Sequence, residues 1–209
     1  MVMHYQPKRK VGYSVAMRAR RPSAPGELGL IERFVNDMRS STPRELMEWF
    51  ASNELVVSRP GADEADLANA VALRETFRSL LAANNGVPLA TGTTKTINGA
   101  VARCRVHPVV DDEGRTLGFT ASSHGVDAIL GRYVCAMLTA LADGTWRRFK
   151  ACSNPECRWA FYDRSRNHAG TWCEMATCGS VHKMRKHRAR KRAASAAPRA
   201  TPERNTSAG

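Results

Sequence analysis

With 209 residues, of which 43% are hydrophobic, the chain is long enough for one ordinary domain with a packed core and a small second module. Lys and Arg outnumber Asp and Glu by 32 to 19, and the formal net charge of +13 predicts an anionic partner, either a nucleic acid or an acidic membrane surface. The composition excludes a collagen-like, mucin-like or generally disordered protein. We expect neither a membrane span nor a secretory signal, because the sequence shows no long apolar run.

The charge and the periodicity divide the chain into four parts. Residues 1–26 show no sustained periodicity and predict a flexible basic arm, although its KRK and RARR clusters could also touch phosphates. Residues 27–145 predict a mainly helical domain. Residues 146–192 hold 13 basic and three acidic residues and predict a basic metal-binding module. Residues 193–209 are rich in Ala, Ser, Pro and Thr and predict a disordered tail.

Three helices are predicted in the first half of the body. The first has an apolar face formed by Leu28, Ile31, Phe34, Val35 and Met38. Thr42 and Glu45 form a capping box around Pro43 and open the second helix, which buries Leu46, Trp49 and Phe50. Asp63 caps the third helix, which ends at Asn84-Asn85-Gly86. The inward residues of this helix are Leu67, Val71, Leu73, Phe77, Leu80 and Leu81.

The period changes over residues 101–122. The segments 101–106 and 117–120 alternate on either side of residues 111–114, Asp-Asp-Glu-Gly, which predicts a β-hairpin. A further helix follows and ends at Asp143-Gly144. Its predicted inner face is Val126, Ile129, Leu130, Tyr133, Met137, Leu138 and Leu141.

The body carries no catalytic signature. Its histidines, His107 and His124, lie apart in sequence and form neither an HxxxH motif nor part of a Ser/His/Asp set. Cys104 on the predicted strand and Cys135 on the following helix lie in apolar contexts and are interpreted as small buried thiols. We therefore predict no catalytic residues and expect that the protein is not an enzyme.

The strongest motif is a C-x4-C-x15-C-x4-C pattern formed by Cys152, Cys157, Cys173 and Cys178. Zn²⁺ prefers four soft ligands in a tetrahedron, and two chelating pairs joined by a loop supply them at a low entropic cost. Disulfides or unrelated core cysteines are the alternative, but clustered pairs in a cytoplasmic protein, as we expect this one to be, usually mark a metal site. His168 and His182 lie nearby and could substitute, although four thiolates are available. The pattern predicts one structural zinc ion held by the four cysteines.

The metal should be needed for this module to fold, because a segment with few aliphatic residues buries little apolar surface. A four-thiolate zinc site contributes on the order of 10 kcal/mol to such a module. A cysteine-bearing β-hairpin followed by a second pair that leads into a helix is typical of a treble-clef zinc finger, with Cys178 at the helix start. Six aromatic residues are predicted to form a small core around the metal, or else a platform for bases: Trp146, Phe149, Trp159, Phe161, Tyr162 and Trp172.

The run after the last cysteine predicts a basic helix. Val181 and Met184 would face the zinc core, and the basic residues would cover most of the remaining circumference. These predicted nucleic-acid contacts are Lys183, Arg185, Lys186, Arg188, Arg190, Lys191 and Arg192. A helix exposed only to water would normally mix charges of both signs. Nucleic-acid phosphates suit this charge density, because each neutralised phosphate releases a counterion.

A wider motif includes Cys152, Cys157, Phe161, Asp163, Arg164, Ser165, Trp172, Cys173, Met175, Cys178 and Gly179. With these residues the module resembles the bacterial CGNR zinc-finger proteins. Leu73-Arg74-Glu75 and Gly86-Val87-Pro88-Leu89 in the body resemble the companion ABATE domain, so the resemblance covers about residues 27–192. Ser180-Val181 stand where the CGNR family has Asn-Arg. Ser180 could still cap the helix, but Val181 cannot replace a cation.

The resemblance implies a stress-related transcription regulator that binds DNA. We therefore expect an α+β protein with a mainly helical N-terminal domain, a small β-hairpin and a treble-clef-like zinc finger that ends in a basic helix. The leading hypothesis is a zinc-dependent regulator that contacts duplex DNA through the finger, while the N-terminal domain senses a ligand or mediates assembly. An RNA- or ribosome-associated module and a zinc-scaffolded protein-interaction adaptor are the alternatives. Sequence alone does not separate these three hypotheses.

Overall fold

The computed structural model describes residues 22–55 and 61–196 of the chain. Most of the predicted arm, residues 1–21, and residues 197–209 of the predicted tail lie outside the described residues. The described chain divides into two compact units, and the boundary between them falls in the sequence after Cys173.

Helices make up most of the described residues of the body, 27–145. They are α1 Leu28–Asp37, α2 Pro43–Ser52, α3 Glu64–Ala83, α4 Thr93–Arg103 and α5 Val126–Ala142. Four of them correspond to predicted helices, whereas α4 was not predicted. The mainly helical character expected of the N-terminal domain is confirmed.

Side-chain caps determine where α2 and α3 begin. Thr42 Oγ1 accepts a hydrogen bond from Glu45 N at 3.2 Å, as the predicted capping box requires. The Glu45 carboxylate, however, accepts from the backbone N–H of Ser41 at 2.7 Å, so the box closes one residue earlier than predicted. Asp63 caps α3 as predicted, and it forms a complete reciprocal box with Asp66.

The two longest helices of the first unit end where the sequence indicates. α3 is followed by Asn84, and Gly86 adopts the left-handed conformation with φ of +83°. α5 is followed by Asp143, and Gly144 adopts the same conformation with φ of +79°. The prediction for the last turn of α5 is wrong, because Leu141 is 50% exposed while its neighbour Ala140 is buried in the core.

The predicted hairpin is present but begins later than expected. Strand β1 Val106–Val110 pairs antiparallel with β2 Leu117–Ala121, and residues 111–114 lie in the turn between them. Residues 101–103, predicted as strand, are the last turn of α4. Cys104 is the fully buried residue that follows this helix, so its placement on a strand is wrong although its burial is confirmed.

A second small sheet carries the first cysteine pair. A 3₁₀ turn, Thr145–Arg148, leads into β3 Phe149–Ala151, which pairs antiparallel with β4 Ala160–Tyr162. Trp146 and Phe149 belong to the main hydrophobic core, where the Trp146 ring centroid lies 6.3 Å from that of Phe77. The prediction of a separate aromatic core around the metal is therefore wrong for these two residues. The core of the helical body continues into the metal-binding segment.

The centre of that core is an aromatic cluster in the body. The rings of Phe34 and Tyr133 stack with centroids 4.5 Å apart, and Phe34 also meets Phe77 edge-on at 6.3 Å. The predicted inner face of α1 is buried throughout. The packing of α1 against α5 also places the residues at the start of α1 beside an exposed face of α5.

The second unit begins at Glu174 and is helical. A π-helical turn, Met175–Gly179, leads directly into α6 Ser180–Ala196, which confirms the predicted helix after the second cysteine pair and extends into the predicted tail. Among the helices of the described chain, none combines the length and hydrophobicity required to span a bilayer.

Candidate metal centre and basic helix

The structure brings the four predicted metal ligands together. The sulfur atoms of Cys152, Cys157, Cys173 and Cys178 lie within 4.8 Å of one another, and none of these cysteines forms a disulfide. Cys157 Sγ is 3.6 Å from Cys173 Sγ. Tetrahedral zinc with Zn–S bonds of about 2.3 Å places its ligands about 3.8 Å apart, so the spacing and the soft donor set both fit this ion. Neither His168 nor His182 belongs to the group.

A tight turn presents the first cysteine pair. Cys152 N donates to the carbonyl oxygen of Trp159 at 2.9 Å, and Cys157 N donates to the carbonyl oxygen of Asn154 at 2.9 Å. Arg158, directly after the second cysteine, adopts a left-handed φ of +51°. The backbone that carries both sulfurs is therefore shaped by its own hydrogen bonds.

An asparagine from α1 covers the free edge of β4. Asn36 is 3% exposed, its Nδ2 donates to the carbonyl oxygen of Ala160 at 2.9 Å, and its Oδ1 accepts from Ala160 N at 2.8 Å. One amide side chain thus satisfies both backbone groups that a further strand would bind.

Two asparagines that follow α3 cover the free edge of β3. Asn84 Nδ2 donates to the carbonyl oxygen of Phe149 at 2.8 Å. Asn85 Nδ2 donates to the carbonyl oxygens of Ala151 at 2.9 Å and Thr171 at 3.0 Å. Because Ala151 directly precedes the first cysteine and Thr171 lies two residues before the third, these bonds place both backbone segments relative to the body.

A buried ion pair organises the loop between the two cysteine pairs. Lys150 and Asp163 are 5% and 3% exposed, and Lys150 Nζ donates to Asp163 Oδ2 at 2.9 Å. The ammonium group also donates to the carbonyl oxygens of His168 at 2.5 Å and Gly170 at 3.1 Å, so each of its three protons has an acceptor. Asp163 accepts in turn from the backbone N–H groups of Ser165 at 3.0 Å and Gly170 at 2.8 Å.

These contacts lower the pKa of Asp163. Burial alone raises the pKa of a carboxyl group, but the hydrogen bonds from Ser165, Lys150 and Gly170 together outweigh this cost and hold the pKa of Asp163 well below its usual range. Gly170 is needed for the same contact, because a Cβ atom at this position would lie 2.7 Å from Asp163 Oδ1. The loop conformation therefore depends on a charged pair and a glycine.

The second unit holds the fourth cysteine. Cys178 is buried within the π-helical turn that precedes α6, in agreement with the predicted position at a helix start. Ser180 does not cap the helix as predicted. Its hydroxyl donates back to the carbonyl oxygens of Ala176 at 2.6 Å and Thr177 at 3.0 Å instead of accepting from the first N–H groups of α6.

The predicted nucleic-acid contacts are all exposed on α6. They are Lys183, Arg185, Lys186, Arg188, Arg190, Lys191 and Arg192. With 3.6 residues per turn, these positions distribute positive charge around the helix instead of on one stripe. Val181 is half-buried, but Met184 is 52% exposed, so the prediction that Met184 faces the zinc core is wrong.

Several residues that shape the site were not predicted. Lys150 looked like one of many basic residues, and Asn36 and Asn85 looked like ordinary polar residues at helix ends. A lysine in a strand between Phe149 and Ala151 was the one available signal, because such a strand is buried on both faces. Asn36 and Ala160 are 124 positions apart, and no local pattern links them.

Comparison with protein families agrees with the geometry. A CGNR zinc finger matches residues 148–191, and an ABATE domain, described as "Putative stress-induced transcription regulator", matches residues 15–145. The two matches occur in the predicted order, and the second covers more than half of the chain. Comparison with curated proteins found no match.

Proposed function

Because the chain belongs to the ABATE family and carries a CGNR zinc finger, we propose that it is a zinc-dependent transcription regulator that binds duplex DNA. The charge density of α6 carries the proposal. Residues 183–192 span about 15 Å at a rise of about 1.5 Å per residue, so the seven cations provide about one charge per 2 Å. Because the cations surround the helix, whichever face of α6 lies against a duplex presents cations to the phosphates, which occur about once per 1.7 Å of DNA axis.

The cysteine cluster would hold Zn²⁺ as a structural ion. Cys152, Cys157, Cys173 and Cys178 would supply four thiolates, which fill a tetrahedral shell and leave no position for a reactive water. When bound, zinc would supply a rigid cross-link, and the Lys150–Asp163 pair and the asparagine contacts of β3 and β4 orient the backbone toward it. We infer that the protein is not an enzyme and acts in the cytoplasm, where the nucleoid lies. An effector or a partner protein would act on the N-terminal domain.

The proposal is tested by the salt dependence of DNA affinity. Replacing Arg185, Lys186 and Arg188 together with alanine should weaken binding to a duplex and reduce the slope of log K against log salt by up to about 2.7, since each lost phosphate contact removes about 0.9. Fluorescence anisotropy with a labelled duplex between 50 and 200 mM salt measures this slope. A matched triple variant, with alanine at Arg44, Lys95 and Arg115, removes the same charge from exposed positions in the body.

Equal effects of the two triple variants on DNA affinity would contradict a contact through α6. They would show that the affinity depends only on the net charge of the protein. Tighter binding to a structured or single-stranded RNA than to the duplex at equal salt would replace the proposal by an RNA-binding module. Affinity for a duplex that stays constant between the two salt concentrations would favour a protein-interaction adaptor.

A further inference from the structure

A groove of about 650 Å³ runs along the surface of the first unit. Its floor is the face of α5 from Ala128 to Ala140, and its sides are residues 25–28 at the start of α1 and residues 119–121 of β2. The volume lies within the range of about 300 to 1,000 Å³ that is usual for small-molecule sites. None of the four clustered cysteines lines the groove, so its lining is separate from the cysteine cluster.

The shape of the groove follows from small residues on α5. Ala128, Ala136 and Ala140 lie at spacings of eight and four residues on one side of the helix and leave room above it. Gly131 allows β2 to approach closely, because a Cβ atom there would lie 2.5 Å from the Cβ atom of Ala121. The groove is therefore bounded by backbone packing that larger side chains would prevent.

The charges in the groove are unbalanced. At one end Arg132 donates from Nε and Nη2 to the two carboxylate oxygens of Glu27 at 3.2 and 2.9 Å, so these charges cancel. At the other end Asp143 Oδ1 accepts from the backbone N–H and the hydroxyl of Thr145 at 2.8 and 2.6 Å. No Lys or Arg of the described residues forms a salt bridge with Asp143, so the groove has a net negative charge on a chain whose formal charge is +13.

We infer that this groove binds a small organic cation, an apolar aryl or alkyl body that carries an amine. The apolar body would lie along the alanine face of α5 and the ring of Phe119, and the ammonium group would donate to Asp143. The uncompensated carboxylate makes a cationic ligand more favourable than an anionic one of the same shape. The inference that the ligand regulates DNA binding rests on the proposed function, whereas the inference that the groove binds a ligand does not.

The far end of the groove adjoins the metal-binding segment. Thr145 lines the groove and also begins the 3₁₀ turn that leads into β3, and β3 ends one residue before Cys152. Asn84 holds the same turn through the carbonyl oxygen of Trp146 at 2.8 Å. A ligand at Asp143 thus contacts the segment that places the first zinc ligand. This connection is the route by which occupancy of the groove would change DNA affinity.

The test uses two dyes with one fluorophore and opposite charge, dansylcadaverine and dansylglycine. The zinc-loaded full chain should enhance and blue-shift the emission of the amine, with at least threefold weaker binding of the carboxylate. Asp143→Asn should weaken the amine about threefold, the size expected of an exposed ion pair, because the asparagine oxygen can still accept from Thr145. Thr139→Trp, which fills the groove from an exposed position, should abolish binding, whereas Leu141→Trp on the same helix outside the groove should not.

Cys135 supplies a second readout. It lines the groove and is half-buried, whereas Cys104 is fully buried and the other four cysteines form the metal cluster. Burial raises the pKa of the Cys135 thiol, so its alkylation by iodoacetamide should be slow enough to time by mass spectrometry. Dansylcadaverine should slow this alkylation in the native chain but not in Thr139→Trp.

Equal binding of both dyes would overturn the cation preference, and failure of the amine to protect Cys135 would overturn the site. These measurements need no DNA. Should they succeed while the α6 variants leave DNA binding unchanged, the groove inference stands and the proposed function fails. Should they fail while the α6 variants behave as expected, the proposed function stands without this effector site.

Discussion

Lys150 and Asp163 show how a buried charge serves the metal site without touching it. The ammonium group has three acceptors, and the carboxylate receives backbone donors on both sides of the loop. A buried pair of this kind adds little net stability compared with a well-packed apolar pair, but removal of one partner leaves an uncompensated charge. The pair therefore specifies the loop conformation more than it stabilises the fold.

Asp163→Asn should lower the free energy of unfolding by about 3 kcal/mol, because Lys150 would remain buried without a counter-ion. The double variant Lys150→Met, Asp163→Leu should recover much of this loss. Urea denaturation of the zinc-loaded proteins measures both values. An Asp163→Asn variant as stable as the native chain, or a double variant no more stable than Asp163→Asn, would contradict this role.

The same variant has a defined pH dependence. The pKa of Asp163 is lower in the folded than in the unfolded chain, so its contribution is complete above the unfolded value of about 3.9 and is lost as pH falls toward the folded value. The stability gap between the native chain and Asp163→Asn should therefore be constant above about pH 5 and shrink below about pH 4.

At the scale of elements, asparagine side chains bond the free edges of a small sheet, where further strands would otherwise pair. The sheet of β3 and β4 has only two strands, and an isolated two-stranded hairpin is marginally stable in water. Asn36 supplies a donor and an acceptor to one edge, and Asn84 and Asn85 supply donors to the other. The hairpin that carries the first cysteine pair is thereby held by residues of the body, independently of any metal.

Asn36→Ala should cost about 2 to 3 kcal/mol, because it leaves the N–H and C=O of Ala160 buried without partners. Hydrogen exchange of the Ala160 amide should also accelerate. Asn53→Ala is the matched control, because Asn53 Nδ2 donates only to acceptors in α2, the carbonyl oxygen of Trp49 and the hydroxyl of Ser52. This change should cost less than 1 kcal/mol. Unchanged exchange at Ala160 in Asn36→Ala would show that the strand edge does not depend on this side chain.

The sequence predicts some elements better than others for a physical reason. α1, α3 and α5 have long apolar faces, and α3 and α5 also end at clear signals, so these helices were found. α4 begins at Thr93 after Gly92, which offers no side-chain cap, and only two of its apolar residues, Ile97 and Ala100, are buried. Over the short stretch from 101 to 106, helical and strand periods fit equally well, so its last turn was assigned to a strand.

At the scale of the whole molecule, the clustering of the four cysteines followed from their spacing alone, because chelating pairs are a local pattern. The contacts that hold the backbone around this cluster could not be predicted from spacing. The contacts between Asn36 and Ala160, and between Asn85 and Ala151, join residues that are far apart in sequence and form only when the body has folded. The expectation that the finger depends on metal for its core was incomplete for this reason, since Trp146 and Phe149 pack in the body.

Metal removal should therefore unfold the chain in part. Treatment with a chelator should release hydrogen-exchange protection in α6 and the π-helical turn before it, while the amides of β3 and β4 stay protected by the body. Mass spectrometry of exchanged peptides, with restored protection after zinc is added back, measures this. Loss of protection in β3 at the same rate as in α6 would show that the body does not hold the hairpin, and no loss anywhere would contradict a structural metal.

The asparagine cover on β3 and β4 also determines how the finger behaves once separated from the rest. A fragment that starts after α5 lacks Asn36, Asn84 and Asn85, so both strands expose rows of open backbone groups to other molecules. Such fragments should pair edge to edge and aggregate even when loaded with zinc. In the whole chain, the asparagines of the body would prevent this edge-to-edge pairing, because they already bond the same backbone groups.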